Sequence, residues 1–198
     1  MIGLRPGADS AERVPDKPAL VARALASRAV RVVVDSAVLR NLALALLWVL
    51  VWQLGRLVEY TEHASVWFPV AGLTFSVVLL DGLRTAPGLA IGCVLVTMWV
   101  GEFYALPLTR AELAWAGLLF ALAHVGSYAV GARLLRAIAA RGSGELPSLV
   151  LTFLLIAALT SLMAMGCGIW VLVSTGMMPA RDVATAWLPF WIGDMAKA

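Results

Sequence analysis

The residues best placed for chemistry in this sequence are His124 and Asp194, because each lies within a long apolar run. Ionisable side chains are costly inside a membrane and are usually there for a functional or structural reason. Counted along helices, the two lie at similar depth, His124 roughly 18 Å from one end of its run. Such a pair could hold a proton, bind a ligand or join two helices as a polar contact, with Thr160 and Ser161 nearby.

A second group of polar residues is expected at one end of the apolar runs. It consists of three carboxylates and one histidine: Glu59, Glu62, Glu102 and His63. If they converge, they would suit a cation or an amine. The alternative is a solvated loop surface.

Catalytic and cofactor motifs are not recognisable in the sequence. We find no Ser-His-Asp order, HExxH motif or phosphate-binding glycine loop, so the chain is not expected to be an enzyme. The two histidines are predicted at different depths, which argues against a bis-histidine haem. Cys93 and Cys167 occupy separate apolar runs without metal-ligand spacing. No cofactor and no metal are therefore predicted.

The composition is that of a membrane protein. Of 198 residues, 62% are hydrophobic and 14% charged, against roughly 45–50% and about 25% in soluble domains. The 15 basic residues are scattered among apolar runs, which argues against a nucleic-acid partner and leaves the lipid bilayer as the expected surroundings. The predicted fold class is an all-α, polytopic helical membrane bundle.

Six apolar runs define the expected elements. They cover about 38–58, 67–83, 86–106, 111–135, 146–175 and 183 onward. The last leaves room for only about 24 Å of helix against a hydrocarbon core of about 30 Å. We expect five complete spans and a truncated sixth, with residues 1–36 forming a basic cytoplasmic segment and 37–198 the membrane domain. The fifth run is long enough to tilt or to break at Gly166 and Gly168.

The positive charges predict the orientation of the bundle. Twelve of the 15 Lys and Arg residues fall at the end where the first run begins, and three, Arg56, Arg110 and Arg181, at the other. The N-terminus is therefore expected in the cytoplasm. Aromatic residues concentrate at the other, outer end; this predicts either an interfacial belt or an outward-facing aromatic cavity. They are Tyr60, Trp67, Phe68, Trp99, Phe103, Tyr104, Trp115, Trp170 and Trp187.

Two short motifs carry a family resemblance. The first begins at Trp67-Phe68-Pro69-Val70-Ala71-Gly72 and continues through Gly82-Leu83-Arg84 to Pro87 and Gly92; the second is Trp187-Leu188-Pro189-Phe190-Trp191-Ile192-Gly193-Asp194. Together they resemble the membrane-associated sensor domain family, first type (MASE), over about residues 38 to 198.

The resemblance implies a multi-pass sensory input module of the bacterial inner membrane. Such modules pass a signal to a cytoplasmic histidine kinase or diguanylate cyclase output domain, here expected in cis or in trans, and a homodimer stays an open alternative. The sequence ends four residues after Asp194, which implies a fragment or a stand-alone truncated sensor. The candidate signal, ligand or switch residues are Trp67, Pro69, Gly72, Arg84, His124, Trp187, Trp191, Gly193 and Asp194.

Two other functions fit the same composition. A small substrate-binding membrane subunit of an uptake transporter would also have short-looped helices in about 200 residues. A plain membrane anchor would leave His124 and Asp194 as structural contacts only.

Overall fold

The computed structural model describes residues 35–57, 59–61, 64–65, 68–141 and 146–195, with the backbone alone at 59–61, 64–65, 146 and 193–195. The described chain is helical apart from one short antiparallel strand pair. Its helices are α1 (Ala37–Arg56), α2 (Pro69–Asp81), α3 (Ala86–Phe103), α4 (Arg110–Ala139), α5 (Leu146–Ser174) and α6 (Val183–Met195). The strands β1 (Glu59–Thr61) and β2 (Ala64–Ser65) lie between α1 and α2.

The helix ends follow from local chemistry. The Ser36 hydroxyl caps α1 by accepting the Leu39 N–H at 3.3 Å, and Pro69 begins α2, where its missing N–H costs nothing. Gly82 ends α2 with a φ of 74°, a conformation that glycine adopts without strain. Thr109 and Glu112 cap α4 reciprocally.

Among the described residues, four helical segments are long and apolar enough to cross a membrane: 37–56, 69–103, 110–140 and 147–174. The predicted helical class is thus confirmed, and the length and composition of these segments are consistent with a membrane protein. The count of five complete spans and a truncated sixth stays a prediction. The fifth run forms one continuous helix, so the possible break at Gly166 and Gly168 is not observed.

The segment 69–103 is a hairpin rather than one long helix. The Trp48 side chain contacts Thr74 of α2 through its indole N–H, at 3.2 Å, and packs against Gly92 of α3 through its Cβ. In a continuous helix, Thr74 and Gly92 would lie about 27 Å apart. The chain therefore reverses at the 3₁₀ turn Gly82–Thr85.

Helices α1 and α3 run parallel in a fixed register. Glycines on α3 allow the close approach: a Cβ at Gly88 would lie 2.8 Å from Asn41 Cα, and one at Gly92 would lie 2.8 Å from Trp48 Cβ. The contacts continue along both helices between partners 47 residues apart, namely Asn41 with Gly88, Ala45 with Gly92, Trp52 with Trp99 and Arg56 with Phe103. One face of α1 thus follows α3 from end to end.

The two ends of the bundle differ. At the first end, the Asn41 amide donates to the Arg84 carbonyl at 3.3 Å, and Arg136 approaches Gly82. Arg56, Glu102 and Arg110 lie at the second end, where Arg110 pairs with Glu102 at 3.6 Å. We call these the Arg84 end and the Arg56 end.

Candidate functional site

His124 is buried at the centre of the bundle. Its side chain is 2% exposed, and its Nε2 lies 3.2 Å from the Thr74 hydroxyl oxygen. The same oxygen accepts the Trp48 indole N–H at 3.2 Å. One threonine on α2 therefore joins α1 to α4, and each of these buried polar groups has a hydrogen-bond partner, as burial requires.

Four aromatic rings surround the His124 imidazole. Phe120, one turn earlier on α4, stacks on it with ring centres 5.7 Å apart and planes 13° apart. Tyr128, one turn later, meets it edge-on at 4.9 Å. Phe68 and Trp48 meet it edge-on from two other directions, at 5.9 and 6.0 Å. We call this set with Thr74 the His124 cage.

A pocket of about 80 Å³ adjoins the cage at the Arg56 end. Three rings, those of Trp48, Phe68 and Phe120, belong to both the cage and the pocket wall. The remaining lining residues are Trp52, Gly55, Arg56, Val96, Thr97, Val100, Tyr104, Leu172, Met177 and Phe190. Together with Trp48 and Phe120, they include residues from every helix except α2. Phe68, the residue that precedes α2, brings this remaining helix into contact with the same space.

Arg56 is the one charged side chain in the described lining. Its guanidinium lies 4.5 Å from the centre of the Phe103 ring, a cation–π contact. Its Nε donates to the Gln53 side-chain oxygen at 3.1 Å. The pocket thus combines aromatic walls with one positive charge.

On the side of the cage that faces the Arg84 end, the core contains further aromatic rings. Phe75 contacts both Tyr128 and Phe153, with ring centres 6.0 and 5.9 Å apart. Phe75 and Tyr128 are at most 2% exposed. The described packing therefore places buried aromatic rings between the cage and the Arg84 end.

Several predicted site residues lie outside the part of the chain that the structure describes. Trp67, Glu62 and His63 are among them, as are the side chains of Glu59 and Asp194; Gly193 is described by its backbone assignment alone. The proposed pairing of His124 with Asp194 and the convergence of the outer carboxylates consequently stay predictions. Glu102 is exposed and pairs with Arg110.

The remaining predicted residues occupy different places. Pro69 and Gly72 are half-buried near the start of α2, next to the cage residue Phe68. Arg84 is exposed in the turn after α2 and forms an ion pair with Asp81 at 2.7 Å. On α6, Trp187 is 42% exposed, whereas the half-buried Trp191 donates to the Ala158 carbonyl at 3.5 Å.

An aromatic cavity is present, but most of its residues differ from those the sequence suggested. Of the aromatics expected at the outer end, Phe68 and Tyr104 line the pocket. Five others are exposed on the surface or outside the lining: Trp99, Phe103, Trp115, Trp170 and Trp187. Sequence reasoning missed Trp48, Trp52, Phe120 and Phe190, although the four-residue spacing of Trp48 and Trp52 puts both on one face of α1.

Within the described ranges, no three His, Cys, Asp or Glu side chains come together as metal ligands. Comparison of the chain with protein-family models, with curated proteins and with solved structures gave no match.

Proposed function

We propose that this chain is the sensory input module of a bacterial inner-membrane signal-transduction protein, with a cytoplasmic N-terminus. The signal is occupancy of the pocket beside the His124 cage. The output is made by a cytoplasmic histidine kinase or diguanylate cyclase domain, in cis or in trans. The Arg84 end faces that domain, in keeping with the excess of basic residues there.

One observation carries this proposal: residues from all six helices or their caps meet around one small pocket. Filling or emptying such a space changes the packing of every helix at once. Packed interfaces respond to such changes by shifting between discrete arrangements. Because α1 and α3 stay in register from Arg56 to Asn41, a shift at the pocket reaches the Arg84 end through rigid helices.

The aromatic packing on the Arg84 side of the cage favours binding over transport. A transporter subunit needs a path from one side of the membrane to the other. The packed rings of Phe75, Tyr128 and Phe153 occupy the Arg84 side of the cage, where such a path would run. We therefore prefer the sensor to the uptake-transporter subunit.

A chimera tests the function directly. The whole chain is followed by a diguanylate cyclase reporter domain, and cyclic di-GMP is measured in cells. We expect Val100→Trp, which fills the pocket, to change the output about threefold or more, because the population of the signalling arrangement shifts. Leu122→Trp is the matched control, since Leu122 is 66% exposed on α4. Equal output from both variants and the wild type, at two linker lengths, would refute a sensory role.

The switchable polar contact of this proposal joins Asp194 to His124. A double-mutant cycle with Asp194→Asn and His124→Gln measures it in the same chimera. If the two groups act together, their effects on output are non-additive. Additive effects would remove Asp194 from the switch while leaving the pocket in place.

A further inference from the structure

We propose that the pocket takes a small carboxylic acid with a single flat aromatic ring, its ring between the aromatic walls and its carboxylate at Arg56. This inference rests on the proposed sensory function only in naming the ligand that acts as the signal.

The size of the pocket limits the ligand. A volume of about 80 Å³ exceeds the about 10–15 Å³ that one water needs. It is far below the roughly 300–1,000 Å³ of pockets that enclose drug-sized molecules. A single ring with a small substituent at Arg56 fits this range, whereas a fused polycyclic body does not.

The walls favour a flat apolar body. Six aromatic side chains line the space: Trp48, Trp52, Phe68, Tyr104, Phe120 and Phe190. Rings pack on one another in offset or edge-on geometry with energies beyond simple burial of area. Phe120 already stacks in this way on His124, so a ligand ring would extend an existing aromatic cluster.

The charge favours an anion. Arginine carries five N–H donors in a rigid fork that matches a carboxylate. Among the described residues, the Arg56 guanidinium donates from Nε to Gln53, and its terminal nitrogens donate to none of them. A ligand carboxylate beside Arg56 would accept hydrogen bonds from those donors while its ring stays between the aromatic walls.

The same charge argues against a cationic ligand. Aromatic cages often hold quaternary ammonium groups, but here the cation over a ring is the Arg56 side chain itself, on Phe103. No carboxylate lines the described part of the pocket to offset a second positive charge.

Binding can be measured on the whole chain in lipid nanodiscs by saturation-transfer NMR, with empty nanodiscs as background. The three probes share one ring and differ in charge: benzoate, benzyl alcohol and phenyltrimethylammonium. We expect benzoate to bind at least about tenfold more tightly than benzyl alcohol, because a charge-assisted bidentate contact is added. Arg56→Gln should abolish this preference, and Arg110→Gln, at the same end but outside the pocket, should keep it.

The wild-type protein alone can overturn the proposal. Benzoate binding no tighter than benzyl alcohol, or weaker than phenyltrimethylammonium, contradicts an anion site whether or not the variants fold. Retention of the preference in a folded Arg56→Gln protein also contradicts it.

The binding experiment and the chimera test different claims, so either claim can be refuted while the other stands. Loss of benzoate selectivity, with a normal response of the chimera to Val100→Trp, overturns the ligand class and leaves the sensor. Selective benzoate binding, with no response of the chimera, overturns the sensor and leaves the binding site.

Discussion

The hydroxyl oxygen of Thr74 lies 3.2 Å from Nε2 of His124, and both side chains are buried between helices α2 and α4. Since that oxygen also accepts the indole N–H of Trp48, a single hydroxyl fixes the relative positions of three helices around the pocket. Buried polar groups that are fully paired stiffen the packing around them. The contact therefore anchors three helices and links Trp48, which lines the pocket, to the buried His124.

Replacing Thr74 by Val removes this hydroxyl at almost constant volume. The variant leaves the Trp48 N–H and the His124 Nε2 without their shared partner, so we expect the protein to lose about 1–2 kcal/mol of stability. Thr74→Ser keeps the hydroxyl and is the control. Thermal unfolding in detergent should place Thr74→Val clearly below Thr74→Ser; the opposite order would mean that the hydrogen bonds contribute nothing.

The close approach of α1 and α3 is tested by Gly88→Ala. The added Cβ would overlap the Asn41 carbonyl oxygen and lie 2.8 Å from its Cα, so backbone must move. We expect a loss of about 2 kcal/mol or more, as in overpacked cores. Gly126→Ala is the matched control, since its Cβ would meet nothing within 4 Å; alanine should be neutral or stabilising there. Equal stability of the two variants would contradict the α1–α3 register.

The proposed orientation can be determined by labelling introduced cysteines in spheroplasts, with the buried Cys93 left in place. Cys167 is exposed and is first replaced by Ser. A cysteine at Arg110 should react with a membrane-impermeant maleimide added outside, and one at Arg133 only after permeabilisation, because positive charge stays on the cytoplasmic side. The reverse labelling pattern would place the N-terminus outside and separate the Arg84 end from any cytoplasmic output domain.

The helices could be predicted from the sequence, but which helices pack against one another largely could not. The bounds of α1, α3 and α5 follow from uninterrupted apolar runs, and Pro69 and Gly82 mark the ends of α2 through their own backbone chemistry. The position of His124 at the middle of α4 also follows from counting along one helix.

Thr74 shows why the site itself could not be predicted. A lone threonine in an apolar helix has no periodic signal, and its importance arises from Trp48 and His124, 26 and 50 residues away. Likewise, the α1–α3 contacts between residues 47 positions apart in sequence can form only because the chain reverses at Gly82. The sequence suggested either an interfacial belt or a cavity from aromatic residues that include Phe68 and Tyr104, and both of these line the pocket at the Arg56 end. Trp48 and Phe120 enter the pocket through helix packing.

The central claim, that the pocket controls the packing at the Arg84 end, is tested most directly by an electron spin-label distance. Labels at Leu39→Cys and Arg133→Cys, both exposed positions, report on α1 and α4 in nanodiscs in the Cys167→Ser background. We expect Val100→Trp to shift the distance distribution by about 2 Å or to populate a second distance, since packed helices move between discrete arrangements, and Leu122→Trp to leave it unchanged. A distribution in folded Val100→Trp that matches the wild type would contradict the account.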